Sequence, residues 1–295
     1  MAVAVRRASM PLRVRRIYFE TRLIPRVLLH GALVLSAVVT LAPFFWEFLL
    51  ATHTTSDIAG SPPPFNIGTA LLRNYTAVLE YAPYFWRSLL NSGIIAFGST
   101  LVTVFFSALG GYAFARYSFP AKERLFWLLL VTMMIPSQLG LIPWYIQMTW
   151  MHWTNSFLPF IVPAVGNAFG VFWMRQYIAS AIPAELFDAA RIDGAGEFGT
   201  FWRVALPLAA PAAGALAITS FIGGWNSFLG PLVIMTDPNM YTYPVALANL
   251  RGVHGTDTGA LLVGSAIATV PMLLVTIFGS RRLIDGLTAG ALSAQ

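Results

Sequence analysis

Residues 27–50 read VLLHGALVLSAVVTLAPFFWEFLL, 24 residues whose single charged side chain, Glu47, lies near the far end. As an α-helix rising 1.5 Å per residue, the stretch is about 36 Å long, enough to cross a hydrocarbon core of ~30 Å. It follows MAVAVRRASMPLRVRRIYFETRLIPR, which carries seven arginines. A cleaved signal peptide has a shorter basic region and an apolar stretch of about 7–15 residues. The segment therefore reads as an uncleaved first span, with cleavage near Ala51 or Ala59 as the alternative.

Five further apolar segments follow: Ser88–Gly110, Leu125–Tyr145, Phe157–Trp173, Pro207–Leu229 and Gly259–Gly279. An unpaired sheet edge cannot exist in lipid, and barrel strands alternate polar and apolar residues over about 10 positions. The run Leu125-Phe-Trp-Leu-Leu-Leu-Val-Thr-Met-Met-Ile135 has no such alternation, so the spans are helices. Composition agrees. Hydrophobic residues make up 57% of the 295 and charged residues 10%, against roughly 45–50% and about 25% in a soluble domain. With no cysteine, there is neither a disulfide framework nor a thiolate metal site. The expected fold is an all-α integral membrane protein of six transmembrane helices. Pro136, Pro143, Pro159, Pro163, Pro211 and Pro271 mark bends, because neighbouring helices can satisfy the carbonyls that proline releases.

Seventeen of the 18 basic residues are arginine, and Lys122 is the only lysine. With the N-terminus in the cytoplasm, 15 lie inside and only Arg73, Arg87 and Arg251 outside, the distribution that the positive-inside rule favours. Both termini are then cytoplasmic. The organisation is a basic segment 1–26, a first span 27–50, an outer loop 51–87, a core of five spans over 88–280 and a tail 281–295. The outer loop holds GSPPPF at 60–65, which stops a helix, and has room for a short interfacial helix around Leu71–Leu79. In the last outer loop, Asp237-Pro238-Asn239 and Arg251-Gly252 read as turns. Asn74-Tyr75-Thr76 fits a glycosylation pattern that chance also produces. Trp46, Tyr112, Trp144, Tyr145, Trp150 and Trp153 read as an interfacial aromatic belt.

The inner loop between spans four and five is the most informative: residues 174–206 read MRQYIASAIPAELFDAARIDGAGEFGTFWRVAL. Pro183 suits the first turn of a helix, and Glu185 complements the positive end of its dipole. Glu185, Asp188 and Arg191 form a polar stripe, while Leu186, Phe187, Ala189, Ala190 and Ile192 cover the other sides. Gly194 is placed to end the helix with positive φ. A second helix from Glu197 to about Leu206 follows. Two readings stand side by side: an interfacial helix that only anchors the loop, or a docking surface for a cytoplasmic partner.

No catalytic constellation is present. His30, His53, His152 and His254 are scattered, and there is no GxxxxGK[ST] phosphate loop. The spans lack the deep charge usual in ion-coupled carriers. Their polar groups are neutral: Asn91, Ser92, Thr100, Thr103, Gln138, Asn167, Thr219, Asn226, Ser265 and Thr269. These read mainly as helix–helix contacts, with Gly264 and Ala268 forming a small-residue face.

The loop also carries a family resemblance. Asp188-Ala189-Ala190, then Gly194 three residues on and Val204-x-Leu206-Pro207 after nine more, resembles the EAA loop of permease subunits of bacterial ABC importers. Further matches point to the carbohydrate branch, and within it to the maltose-permease-G-like subunit. They are Asn91-Ser92, Gly111-Tyr-Ala-Phe-Ala-Arg116, Thr132-Met-Met-Ile-Pro136, Ile182-Pro183-x-Glu185-Leu186, Ile192-Asp193-Gly194-Ala195, Trp225-Asn226 and Gly286-Leu-Thr-Ala-Gly290-Ala291. The chain departs from many relatives at Ser227 and in its LSAQ ending.

The resemblance implies an ABC importer-type permease core, with 180–206 as a cytoplasmic coupling helix and loop docked on an ATPase subunit. Glu185, Asp188, Ala189, Ala190, Arg191, Asp193, Gly194, Leu206 and Pro207 are the implied docking residues. The implied partners are a second permease subunit, two ATP-binding cassette ATPases, an extracytoplasmic solute-binding protein, membrane lipid and a sugar substrate. No nucleic acid is expected. ATP and magnesium belong to the ATPase, so this chain is expected to bind no cofactor and to be no enzyme. The rival functions are an ion-coupled secondary transporter of a small solute and a membrane-embedded enzyme.

Overall fold

The computed structural model describes residues 12–250 and 257–292, with side chains over 27–250 and 257–279. The turn expected at Arg251-Gly252 and the LSAQ ending fall wholly or partly outside these residues. Helices dominate throughout, and the described residues contain no strand.

Three helices are long and apolar enough to cross a membrane unaided: α1 (Leu12–Leu50), through its part Val27–Leu50, α3 (Phe85–Arg116), and the Thr258–Gly279 part of α10 (Thr258–Leu292). Three bent pairs supply the rest. The helix α4 (Lys122–Met133) turns by 90° into Ser137–Trp150, whose α-helical part is α5 (Leu141–Trp150). Residues Leu158–Gly166 turn by 40° into α6 (Ala168–Ala181), and Glu197–Leu208 turn by 75° into α8 (Ala210–Trp225). Counting each pair as one crossing makes six.

The bends expected from the prolines appear in spans three to five, while the bounds of these spans differ from those read along the chain. At 12 residues, α4 is about 18 Å long and cannot cross alone. Pro136 starts the break after it, because its ring closes off the preceding turn. Span four runs on to Ala181, past its expected end at Trp173, and α8 stops at Trp225, short of Leu229. Pro271, by contrast, lies inside the unbroken α10. Beyond residue 280 the expected tail continues α10 as helix to Leu292.

The remaining elements are short. Between the first two spans α2 (Leu71–Tyr81) takes the place expected for an interfacial helix. The loop helix α7 (Ala184–Ile192) precedes the Glu197–Leu208 segment, and α9 (Tyr243–Leu250) precedes α10. The centre of the bundle is α3, which packs most closely on α6 and then on α8; α8 in turn packs on α10, and α10 on α2.

Two buried clusters fill the ends of this bundle. Phe85, Leu89, Trp225, Leu247 and Val263 occupy the end nearest α2 and α9. Tyr112, Met174, Phe187, Phe201 and Leu216 occupy the end nearest α7. The expected small-residue face is present: a side chain at Gly264 would collide with Leu247, and the Trp225 indole donates to the Ala268 carbonyl at 3.2 Å. Arg175 lies over the Phe126 ring at 4.1 Å and joins α6 to α4.

Several neutral polar residues hold loops rather than helices. Asn91 donates to the Asn239 and Tyr241 carbonyls at 2.8 and 3.0 Å, and the Ser92 hydroxyl accepts from the Tyr243 N–H at 3.0 Å. Thr103 does bridge to another span, reaching the Ala164 carbonyl of span four at 3.4 Å. Asn74 is fully buried, and its amide donates to the Ala51 and His53 carbonyls. That engagement leaves nothing accessible for glycosylation.

The α3–α6 crossing depends on Gly111. A Cβ there would sit 2.6 Å from the Met174 Cβ and 2.7 Å from the Arg175 backbone nitrogen, both on α6. Gly111→Val is therefore expected to lower stability by about 1–3 kcal/mol, the usual cost of overpacking. A drop in melting temperature of the detergent-solubilised protein would register it; an unchanged melting temperature would remove the crossing from the core.

Candidate functional site

The loop at residues 180–206 is built outward from one buried ring. Phe187 is the only buried residue of α7. Its ring centroid lies 5.8 Å from that of Tyr112, and the Arg116 guanidinium sits 4.2 Å above its face. Arg116 also donates to the Ile178 carbonyl at 3.1 Å and to the Ile182 carbonyl. A cation at the C-terminal end of α6 meets carbonyls that lack intrahelical partners, where charge and dipole agree. One side chain of α3 thus fastens the end of α6 and the middle of α7.

Tyr112 contradicts its reading as a belt residue: it is 3% exposed, packed beneath α7 against Phe187 and Phe201. Next to the Arg116 clamp, the Tyr117 hydroxyl donates to the Glu197 carboxylate and lies 3.4 Å from the Tyr112 hydroxyl. Burial, followed by the bond to Glu197, pushes Tyr117 well above the usual phenol range, so it remains a neutral donor at physiological pH.

The exposed side of α7 carries most of the residues singled out from the sequence. Glu185, Asp188, Ala189, Arg191, Asp193 and Gly194 are exposed, and Ala190 is half-buried. Arg191 reaches Asp188 at 3.8 Å and Glu197 at 3.6 Å. Pairs this exposed contribute about 0–1 kcal/mol, so a partner's charge can redirect them at little cost. Pro183 stands at the cap position, one residue before the first helical turn where it was expected.

The helix stops as its spacing predicts. Gly194 takes φ +79°, the Ala195 N–H donates to the Ala190 carbonyl at 2.9 Å, and the Gly194 N–H donates to Arg191 at 3.0 Å. These two bonds form the Schellman closure, which requires the left-handed residue between them. A Cβ at Gly194 would meet nothing within 4 Å, so only backbone strain opposes a side chain there.

Two expectations divide differently. Leu186 and Ile192 do not cover the helix: both are exposed, Ile192 at 86%. The reason is that α7 is only nine residues long and touches the bundle along a single edge. Leu206 and Pro207 are not on the α7 surface either. Leu206 packs against the cluster containing Phe187 and Phe201, and exposed Pro207 immediately precedes the 75° bend into α8. Between Glu197–Thr200 and that bend, Phe201–Ala205 form a π-helical turn that no sequence pattern announced.

Sequence reasoning missed the clamp. Arg116 entered there as one of the inside cations and as the end of a family match, and Phe187 only as part of an apolar side. The available signal was an arginine and a tyrosine ending a long span, next to a loop helix with one aromatic. Among the described residues, no group of three or more His, Asp and Glu is arranged to hold a metal ion.

Residues 63–284 match the family of binding-protein-dependent transport system inner membrane components. The chain belongs to that family. It is 37% identical over 226 residues to the arabinooligosaccharides transport system permease protein AraQ of Halalkalibacterium halodurans, covering 77% of this chain and 81% of that one. It is 30% identical over 269 residues to the lactose transport system permease protein LacG of Rhizobium radiobacter, with 90% and 96% covered. Identity to the sn-glycerol-3-phosphate permease UgpE of Escherichia coli is also 30% over 269 residues, with 88% and 94% covered.

Among solved structures, the crystal structure of a bacterial ABC transporter involved in the import of the acidic polysaccharide alginate shares the fold. It gives a TM-score of 0.71 at 21% identity, with 92% of this chain and 98% of that chain covered. The protein is a multi-pass inner-membrane permease component and not an enzyme, and the family sets aside the ion-coupled carrier and the membrane-embedded enzyme.

Removing the Arg116 clamp should loosen α7 selectively. Arg116→Ala forfeits the cation–π contact with Phe187, about 0.5–2 kcal/mol, and the bond to Ile182 just before α7, so amide exchange over Ala184–Ile192 should accelerate about fivefold. Hydrogen-exchange mass spectrometry reads this directly. Unchanged protection of α7 would mean that Phe187 packing alone holds it.

Proposed function

We propose that this chain is one of two permease subunits of an ATP-driven, binding-protein-dependent importer for a sugar or oligosaccharide. It forms half of the translocation path, and α7 receives the stroke of a separate ATPase subunit. The observation that carries this reading is the geometry of α7. An exposed surface of Glu185, Asp188, Ala189, Arg191, Ile192 and Asp193 is joined through one buried side chain, Phe187, to Arg116 of α3 and the end of α6. A force applied to the outer surface therefore reaches two central spans. A helix that only anchored a loop to lipid would turn its apolar side chains to one face and would need no such link.

The partners follow from this role: a second permease subunit, two ATPase subunits that hold ATP and magnesium, and a solute-binding protein on the opposite face. A sugar substrate is supported by the named substrates of AraQ and LacG. We place both termini, together with residues 180–206, in the cytoplasm on the strength of the arginine distribution. Residues 88–280 act as the transport core, and Leu206 and Pro207 as the hinge that passes movement from the loop into α8.

Gly194 separates docking from folding. Gly194→Ala introduces only the left-handed backbone strain of about 1–2 kcal/mol and should leave most uptake intact. Gly194→Arg adds a long side chain to the exposed tip and should abolish uptake while the protein stays in the membrane. Normal uptake by well-expressed G194R would refute docking at this tip. Since the chain has no cysteine, Ile192→Cys also provides a single label site. It should react with a membrane-impermeant maleimide from the cytoplasmic side only and be shielded by the ATPase. Labelling from the opposite face would overturn the orientation.

A further inference from the structure

The bundle has one side unsuited to lipid. On α3, Leu90, Ile94, Phe97 and Leu101 face outward, as do Val270, Leu274 and Ile277 on α10. The helix α8 differs: among its residues no large apolar side chain is exposed, while Thr219 and Gly223 are. Hydroxyl groups facing hydrocarbon carry a desolvation cost that water or a polar solute removes.

This face borders a cavity of about 390 Å³ between α3, the start of α6 and α8, within the roughly 300–1,000 Å³ of ligand pockets. Ser99, Thr103, Asn167, Thr219 and Ser220 supply its polar lining. Three of the hydroxyls donate to backbone carbonyls: Ser99 to Ala96 at 3.3 Å, Thr103 to Ala164 at 3.4 Å and Thr219 to Leu216 at 3.0 Å. Their lone pairs remain to accept from an incoming hydroxyl. The Asn167 carbonyl oxygen accepts from the Gly170 N–H at 2.7 Å, and its amide N–H groups meet no acceptor among the described residues. No charged side chain is among the described lining residues.

We infer that this cavity is a substrate subsite on the translocation path and that it takes an uncharged, hydroxyl-rich solute. The inference rests on the importer reading and narrows it. Neutral acceptors beside an amide donor match the alternating donors and acceptors of sugar hydroxyls. A carboxylate or phosphate would enter without a counter-charge from this wall, at the cost of burying an unpaired ion. A neutral sugar therefore fits, whereas a sugar acid or a phosphate ester does not.

Gly223 provides the steric test, because a Cβ added there meets nothing within 4 Å and a longer side chain grows into the cavity without displacing the chain. Uptake would be measured in cells carrying the complete transporter, with radiolabelled lactose, an arabinooligosaccharide and sn-glycerol 3-phosphate as probes and membrane levels of each variant matched. Gly223→Leu should slow uptake of the neutral sugar about tenfold or more, and Thr219→Val should raise its half-saturating concentration about fivefold, the effect of one lost hydrogen bond. Wild-type uptake kinetics in both variants would overturn the subsite. Import of sn-glycerol 3-phosphate in preference to the neutral sugars would overturn the substrate class. Uptake that persists after the partner ATPase is inactivated would instead overturn the importer reading, leaving the cavity to be judged by the Gly223 variant.

Discussion

A carbonyl released from a helix within a bilayer needs a donor from inside the protein, since lipid offers none. Side chains of neighbouring elements supply donors of this kind at several points. The Trp173 indole donates to Ala212 across the α6–α8 contact, and the Trp225 indole to Ala268 across the α8–α10 contact. Asn91 secures the backbone at 239–241, and Arg116 takes the carbonyls at the end of α6. Each bond runs from a side chain of one element to the main chain of another. The bonds from Asn91 and Arg116 satisfy backbone outside regular helix or at a helix end, and all four side chains tie separate elements together.

This arrangement explains why the bends occur where they do. The 75° turn before α8 is centred on Ala209, which is fully buried and whose N–H still bonds to Ala205 at 2.9 Å. The 40° turn before α6 is closed by Asn167, whose side chain caps the new helix. The 40° break lies next to the face of α8 that carries Thr219 and Gly223, because Asn167 lines the same cavity. A broken span and the neutral polar groups of α3 and α8 thus meet around one cavity, while Leu90, Phe97, Val270 and Leu274 face outward elsewhere. That asymmetry suits a subunit that must present lipid on one flank and a hydrated path on another.

At the loop end, the same economy of contacts supports mechanical coupling. A nine-residue helix is too short to be stable in water on its own and takes its order from what it packs against. Here the support is a single aromatic ring held between Tyr112 and Arg116. A broad apolar interface would bury the helix and hide its polar stripe, and no interface at all would let it move without consequence. One buried anchor beneath an exposed face allows docking and transmission together.

Membrane class, helical form and approximate spans were all legible in order along the chain, because hydropathy and backbone satisfaction in lipid are local constraints that each segment meets by itself. The end of α7 at Gly194 was legible for a similar reason: a helix stop is decided within six residues. The pairing of Arg116 with Phe187, the burial of Tyr112, the exposure of Ile192 and the gathering of Ser99, Thr103, Asn167 and Thr219 around one cavity were not. Each depends on which helices cross and at what angle, and residues far apart in sequence acquire a common environment only once close approaches such as Gly111 on α6 have set those crossings.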